Sequence, residues 1–308
     1  MASARAIKGR IKSTKNIQQI TKAMQAVSAV KMRKSESAAL RGRPYALHVL
    51  DILRKIEKAT GKDIKSLSPL WNKNTSIKHC LVIITSDKGL AGAFNSNVIR
   101  KCESLIKGYA NTDIVAIGKK GRDHFTRKGV TVVKDFAGYG DVATLAEAQE
   151  VASFVIELFK SGNYSKIDII YTNFISALKQ RVIVRPLLPL NENDLEEVVQ
   201  DIVPETGKYS HIKSHQSIKS PDYTFEPTPE DIVLGLVPKL VELEVFHAIL
   251  EANASEHSAR MVAMKNASDN AKEMIRVLTI KYNKERQAQI TKELIEITSG
   301  KNALEAND

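Results

Sequence analysis

The chain has 308 residues, 43% of them hydrophobic, and a formal net charge of +11, a composition that fits one large or two small folded domains and excludes wholesale disorder. The charge is local: residues 1–60 hold 14 Lys and Arg against only Glu36, Asp51 and Glu57, while the rest of the chain carries 32 basic and 32 acidic side chains. A negatively charged partner for that one segment is implied, and Cys80 and Cys102, far apart and without CxxC spacing, exclude a disulfide framework and read as reduced thiols of a cytoplasmic-type compartment.

The start, MASARAIKGRIKSTK, has no apolar run of signal-peptide length, and no stretch reaches the roughly 18–20 apolar residues that cross a bilayer. Residue 1 is therefore read as part of the mature protein. Helical patterning continues to about residue 58, with an apolar stripe through Ile17, Ile20, Met24 and Val27. Pro44, in Gly42-Arg43-Pro44, removes a backbone donor and is expected to kink or break this helix. Residues 1–60 are thus one helical segment, and residues 61–77, rich in Lys, Ser and Asn, are a linker.

Between residues 78 and 190 the pattern changes to short runs rich in Val and Ile: CLVIITS, DIVAIG, VTVVKDF, KIDIIYTNF and QRVIVRPLL. These read as buried strands, with helices near residues 95–109, 119–128 and 144–160 between the first four. The alternation predicts a doubly wound, mainly parallel sheet with helices on both faces. Residues 191–227 are polar and proline-bearing, an exposed connection with one short strand at DYTFE.

Thr228-Pro229-Glu230-Asp231 supplies an N-cap, a proline at the first helical position and acids in the first turn, so a helix starts there and occupies residues 228–308. Steps of seven from Leu236 reach Leu243, Leu250, His257, Met264, Ala271 and Leu278. Steps of seven from Leu240 reach His247, Ala254, Met261, Ser268, Ile275 and Tyr282. Eleven of these fourteen positions are apolar or aromatic, the signature of a left-handed coiled-coil seam. Some 70 helical residues would run about 105 Å, so a rod is expected.

Its natural partner is the N-terminal helix, packed antiparallel. Placing Pro44 level with Pro238 puts residue 1 near residue 281 and residue 24 near residue 258. Beyond Tyr282 the apolar stripe shifts to Ile290, Leu294 and Ile297, so the last 20 residues should project as a lone helix.

Chemical motifs are sparse. TSDKGLAGAFNSN places Gly89 and Gly92 at a strand-to-helix turn, where doubly wound sheets hold phosphates, but it is not GxGxxG, and GxxxxGK[ST] is absent. It reads as a tight turn, and no cofactor is expected. His211 and His215 lie in a polar connection without nearby Cys and read as solvated; His247 and His257 fall on the seam, where polar residues set register. No Ser/His/Asp, Cys/His or HExxH arrangement is found, so neither a catalytic nor a metal site is expected. Residues 1–44 contain no Phe, Trp or Tyr, which disfavours single-stranded nucleic acid, and the apolar stripe is committed to a seam, which disfavours membrane adsorption. An acidic protein surface fits the basic helix best; a coiled-coil nucleic-acid-associated protein with an α/β head is the alternative.

Three blocks, ITKAMQAVSAVKMRKSE, TSDKGLAGAFNSNVI, and SEHSARMVAMKNASDNAKEMI followed by YNKERQAQITKELIEITSG, resemble the gamma subunit of F-type rotary ATP synthases of bacterial type, in order and spacing, over nearly the whole chain. Residues 201–221 are longer than usual for that family, Pro238 is unexpected there, and the cysteine-bearing insertion of chloroplast members is absent.

The resemblance implies that residues 1–60 and 228–308 form an antiparallel coiled-coil shaft inside a hexamer of alpha and beta subunits. The domain of residues 78–190 would sit below, with the epsilon subunit and the c-subunit ring. It implies a noncatalytic rotor that couples proton-driven rotation to ATP synthesis or, in reverse, hydrolysis. It would lie at the cytoplasmic face of the bacterial inner membrane, touching the membrane only through the c ring. By motif match, Met24, Arg260, Gln287 and Thr291 resemble positions that couple shaft to catalytic subunits. Lys31, Arg33 and Lys34 would meet acidic loops there, and Tyr223, Phe225 and Glu226 resemble the foot that contacts the c ring and epsilon.

Overall fold

The computed structural model describes residues 4–60, 68–109, 111–139, 142–190, 226 and 228–305. In chain order these form α1 (Ala4–Thr60), a 3-10 turn (Pro69–Trp71), β1 (His79–Ile84), α2 (Phe94–Ile106), β2 (Thr112–Ile117), α3 (Lys119–Arg127), β3 (Val132–Phe136), α4 (Leu145–Lys160), β4 (Lys166–Phe174), β5 (Gln180–Leu188) and α5 (Pro229–Glu305). The chain divides into two compact units. One takes the residues up to 27 together with those from 261 onward; the other is residues 28–260.

The second unit is built on a five-stranded sheet of order β3-β2-β1-β4-β5. The first four strands are parallel, and β5 returns antiparallel to β4, with Ile170 opposite Val184. Because both faces are covered, the central strands β1 and β2 read as near-continuous apolar runs, HCLVII and TDIVAI, whereas the edge strand β3 exposes Val133, Lys134 and Asp135. The side chains still sort by period two. Cys80, Val82 and Ile84 of β1 enter one apolar layer with Val115, Ile117, Ile167 and Ile169, whereas Leu81 and Ile83 enter the other with Ile114, Ala116 and Ile170.

The first layer is closed by α4 and by Val233, Val237, Val241 and Val245 of α5, with Val49 and Ile56 of α1. The second is closed by Val98 and Cys102 of α2 and Phe125 of α3. The α4 helix begins with a capping box in which Thr144 accepts from the Glu147 N–H and the Glu147 carboxylate accepts from the Thr144 N–H. At the start of α5, Thr228 Oγ1 accepts the Asp231 N–H at 3.2 Å, with Pro229 at the first helical position.

A second glycine pair matters beside the turn at Gly89 and Gly92. Gly118, with φ +94, would place a Cβ 2.0 Å from the Thr85 carbonyl oxygen, and one on Gly121 would lie 2.7 Å from Ile83 Cδ1. Only glycine lets α3 start this close to β1. Thr85 Oγ1 closes the contact by accepting the Gly121 N–H at 2.9 Å.

The break expected at Pro44 is corrected: α1 continues as one helix through Gly42-Arg43-Pro44, and α5 likewise continues through Pro238. A proline inside a helix costs about 3 kcal/mol. Around Pro238 that cost is offset by burial of Val233, Val237, Leu240 and Val241 on the domain. Of the short strand expected at DYTFE all but Glu226 lies outside the described residues, as do His211 and His215.

The first unit pairs the start of α1 with the end of α5. Thr14 Oγ1 approaches Met274 Sδ at 4.0 Å. The proline-based register places residue 14 near residue 268, six positions short of the observed neighbour. Part of the offset is the tilt of both side chains toward their own helix N-termini. The remainder is a true shift, since neither proline interrupts its helix and nothing holds the two at one level.

Candidate functional site

The seam positions on α5 behave as one face. Leu240, His247, Leu250, Ala254, His257, Met264, Ser268 and Ala271 are buried, and the other six of the fourteen are half-buried. From Arg286 to Ser299 every residue is exposed.

On α1 the expected stripe is corrected. Ile17, Ile20 and Val27 are exposed by 51%, 60% and 51%, and only Met24 is half-buried. The buried line is instead Ile7, Thr14, Thr21, Ser28 and Ser35, with Val49 and Ile56 further along, all separated by multiples of seven. The apolar stripe lies roughly 90° around the helix from this line, by the 100° turn per residue. Small residues face inward because they allow close helix approach. The threonine hydroxyls need no partner from the other helix, since Thr14 Oγ1 donates to Arg10 O at 2.9 Å and Thr21 Oγ1 to Ile17 O at 3.0 Å.

The residues singled out from the sequence fall in different surroundings. In the first unit Met24 is half-buried on α1, whereas Gln287 and Thr291 are exposed one turn apart on α5, with Thr291 Oγ1 donating to Gln287 O at 3.0 Å. In the second unit Lys31 is half-buried, Arg33 and Lys34 are exposed, and Glu226 is exposed. Tyr223 and Phe225 lie outside the described residues.

Arg260 is 7% exposed and held within its own domain. It pairs through Nη2 with Glu256 at 2.6 Å, donates from Nη2 to the Gly89 carbonyl at 3.3 Å, and lies 3.4 Å through Nη1 from His257 Nδ1. The loop that it reaches carries Leu90 in the left-handed region, with φ 64 and its side chain 64% exposed. A non-glycine residue in that conformation costs on the order of 1–3 kcal/mol and persists only when its surroundings fix it.

Below the seam, α5 meets β4 and the turn after it through polar groups, of which the sequence had marked only His247. Asn173 Nδ2 donates to Glu251 at 3.3 Å, His247 Nε2 lies 3.7 Å from Glu251, Ser255 donates to Thr172 O at 3.0 Å and Ser258 to Ala177 O at 2.6 Å. Burial, and next to it the Arg185 charge, pushes the His247 pKa down to about 3, so the ring is neutral. Burial also pushes the thiols of Cys80 and Cys102 up to about 12, so both are unreactive packing residues. The signal for the polar line was present as Glu244, His247, Glu251, Ser255 and Ser258 at spacings of three and four, but only His247 falls on the seven-residue steps that mark the seam.

Among the described residues no cluster of three or more His, Cys, Asp or Glu could hold a metal, and no helix is long and apolar enough to cross a membrane.

Comparison with known proteins agrees with the architecture. The profile of the ATP synthase family described as "ATP synthase" matches residues 3–304. The ATP synthase gamma chain of Heliobacterium modesticaldum is 39% identical over 304 residues, covering 99% of this chain and all of that one. That of Roseiflexus castenholzii is 39% identical over 310 residues, covering 99% of each. Among solved structures, a chain of the Tetrahymena thermophila mitochondrial ATP synthase central stalk and c-ring matches with a TM-score of 0.59 at 25% identity, covering 81% of this chain and 99% of that one. A chain of the Euglena gracilis mitochondrial ATP synthase matches with a TM-score of 0.66 at 21% identity, covering 99% of this chain and 95% of that one. These likenesses displace the alternative of a nucleic-acid-associated coiled coil. The chain belongs to the ATP synthase gamma-chain family.

Proposed function

We propose that this protein is the central-stalk rotor of an F-type ATP synthase, turning inside a hexamer of alpha and beta subunits and resting on the epsilon subunit and the c-subunit ring. It is noncatalytic: ATP is made or hydrolysed on its partners, and its own contribution is to impose different conformations on three catalytic sites in turn. It sits at the cytoplasmic face of the bacterial inner membrane and meets the bilayer only through the c ring.

The observation that carries this reading is the outer surface of the first unit. Ile17, Ile20 and Val27 on α1, and Ile280, Leu294 and Ile297 on α5, are all at least half exposed. Monomeric proteins seldom display so much apolar side chain on one helical element, and such a surface calls for an enclosing partner. An apolar sleeve suits a turning axle, because nonpolar contact is nondirectional and offers no fixed bonds to break at each angle.

Coupling is assigned to Met24, Lys31, Arg33, Lys34, Arg260, Gln287 and Thr291, and the foot to Tyr223, Phe225 and Glu226. Of these, Arg33, Lys34, Gln287, Thr291 and Glu226 have the exposure that direct contact requires, while the burial of Arg260 supports an indirect contribution. Affinity purification of the tagged chain from membranes is expected to yield a nucleotide-binding hexamer and a ring of small membrane subunits; recovery of the chain alone or with nucleic acid would reject the assignment. Within that complex, Met24→Lys is expected to lower ATP yield per proton without reducing assembly, and an unchanged yield would remove Met24 from the coupling set.

A further inference from the structure

At the crest of the sheet, where β1, β2 and β3 end, α5 is not packed tightly on its domain. A cavity of about 80 Å³ lies there, bounded by Ile84, Gly118 and Phe136 of the sheet domain and by Ile249, Asn253 and His257 of α5. Beside this gap the helix reaches the domain through a polar link, the bond from Arg260 Nη2 to the Gly89 carbonyl at 3.3 Å.

The loop that receives this bond is gripped a second time, by the start of α3 and the segment after β3. Asp87 Oδ1 accepts the N–H of Lys119, the first residue of α3, at 2.9 Å, and Asp87 Oδ2 accepts the N–H of Gly138 beyond β3 at 2.7 Å. One carboxylate thus ties three loops together at the ends of three neighbouring strands. The neighbouring residue is fixed as well, since Ser86 N–H donates to Asn95 Oδ1 at 2.9 Å and Asn95 Nδ2 donates to Ser86 Oγ at 2.7 Å. Only Lys88 separates the two grips. Leu90 follows directly in its left-handed conformation, with a side chain too exposed for packing to explain the backbone.

We propose that residues 86–90 are a two-sided clamp that transmits a displacement of α5 at Arg260 to the crest of the sheet. The path runs through the Gly89 carbonyl and the Asp87 carboxylate to the start of α3 and to Gly138. The mechanical meaning of the clamp rests on the rotor reading above, whereas its existence as a physical linkage does not. Directional bonds suit this task where packing is loose: a hydrogen bond weakens steeply as its angle closes below about 120°, so it resists twisting that a sliding apolar contact would permit. The chain between the grips is too short to absorb the motion by itself.

Hydrogen exchange on the full-length chain tests the linkage at two amides that Arg260 does not touch. In Arg260→Ala the N–H groups of Lys119 and Gly138 are expected to exchange about tenfold faster, the effect of losing one hydrogen bond to a charged group. Amides of the β4–β5 ladder should keep their rates. Asp87→Ala combined with Arg260→Ala should give less than the sum of the two single effects, as coupled residues do. Unchanged rates at Lys119 and Gly138, or a rise shared by every amide of the domain, would overturn the linkage. If the alanine variant does not fold, Arg260→Lys, which keeps the charge and loses the forked geometry, is expected to give the same pattern at smaller size, and its absence there would overturn the clamp equally. Coupled amides together with an unaltered ATP yield per proton in both variants of the assembled complex would leave the linkage standing and overturn its mechanical role.

Discussion

α1 and α5 carry the same seven-residue seam in opposite vocabularies. On α5 it is made of Leu240, Leu250, Met264 and Ala271, with His247 and His257 among them; on α1 the buried line is Ile7, Thr14, Thr21, Ser28 and Ser35. Three bulky apolar residues between these small ones, Ile17, Ile20 and Val27, are on the outside. A seam is therefore marked by period and by residue size, and hydrophobicity can point the wrong way when the outer surface also has an apolar task. The contrast extends to charge: α5 buries Glu244, His247, Glu251 and Arg260, whereas the buried residues described on α1 include no titratable group.

Truncation should separate the two helices most strongly. Leu250→Ala, at a side chain 1% exposed in the domain core, is expected to lower unfolding free energy by about 2–5 kcal/mol, measured by denaturant titration of the chain. The complementary change, Thr21→Leu, adds bulk where α1 has room only for a small residue and is expected to cost about 1–3 kcal/mol despite adding apolar surface. A stabilising effect of Thr21→Leu in the same titration would mean that the α1 line is not a close-packed seam.

Acid should act through α5. The folded pKa of His247 is depressed to about 3 from the ordinary 6.5, so the unfolded chain takes up a proton at this site before the folded one does. Its contribution to stability is complete above about pH 6.5 and is lost as pH falls toward 3. His247→Gln should flatten the decline of melting temperature across that window, and an identical slope in the variant would argue against a buried neutral ring. The smallest effect is expected outside. Ile17→Ser should change the stability of the isolated chain by no more than about 0.5 kcal/mol while weakening recovery of the assembled complex, because Ile17 touches solvent in the chain and, in the proposed rotor, would touch the enclosing sleeve.

The sheet domain was legible because its signals are redundant. Each strand carries a short apolar run rich in Val and Ile, helices fill the intervals between the first four, and Thr144 and Thr228 announce helix starts by cap chemistry. The seam of α5 was legible because its period survives two histidines and a serine. Three features were hidden for physical reasons. The α1 seam uses threonines that satisfy their hydroxyls within their own helix, so no apolar pattern marks it. Pro44 and Pro238 speak for a break locally, and the uninterrupted helices at those positions are a tertiary outcome. Gly118 and Gly121 in IGKKGRDHF do follow a strand, but their demand for glycine comes from Ile83 of neighbouring β1 and from Thr85 just after it, which no local reading can supply. Of the candidate site, the exposed positions Gln287 and Thr291 were found by motif alone, and Arg33 and Lys34 by the local excess of basic residues. The inward bonding of Arg260 was not readable, because its partner at Gly89 lies 171 residues away.

The central claim is that this chain turns while its partners carry out the chemistry. With the alpha and beta hexamer fixed to a surface and a bead attached through Lys101→Cys, an exposed position on α2, ATP should drive continuous rotation of the bead in one direction, stopping when ATP is removed. Complexes that hydrolyse ATP at a normal rate while every bead stays still, or moves without directional bias, would contradict the account.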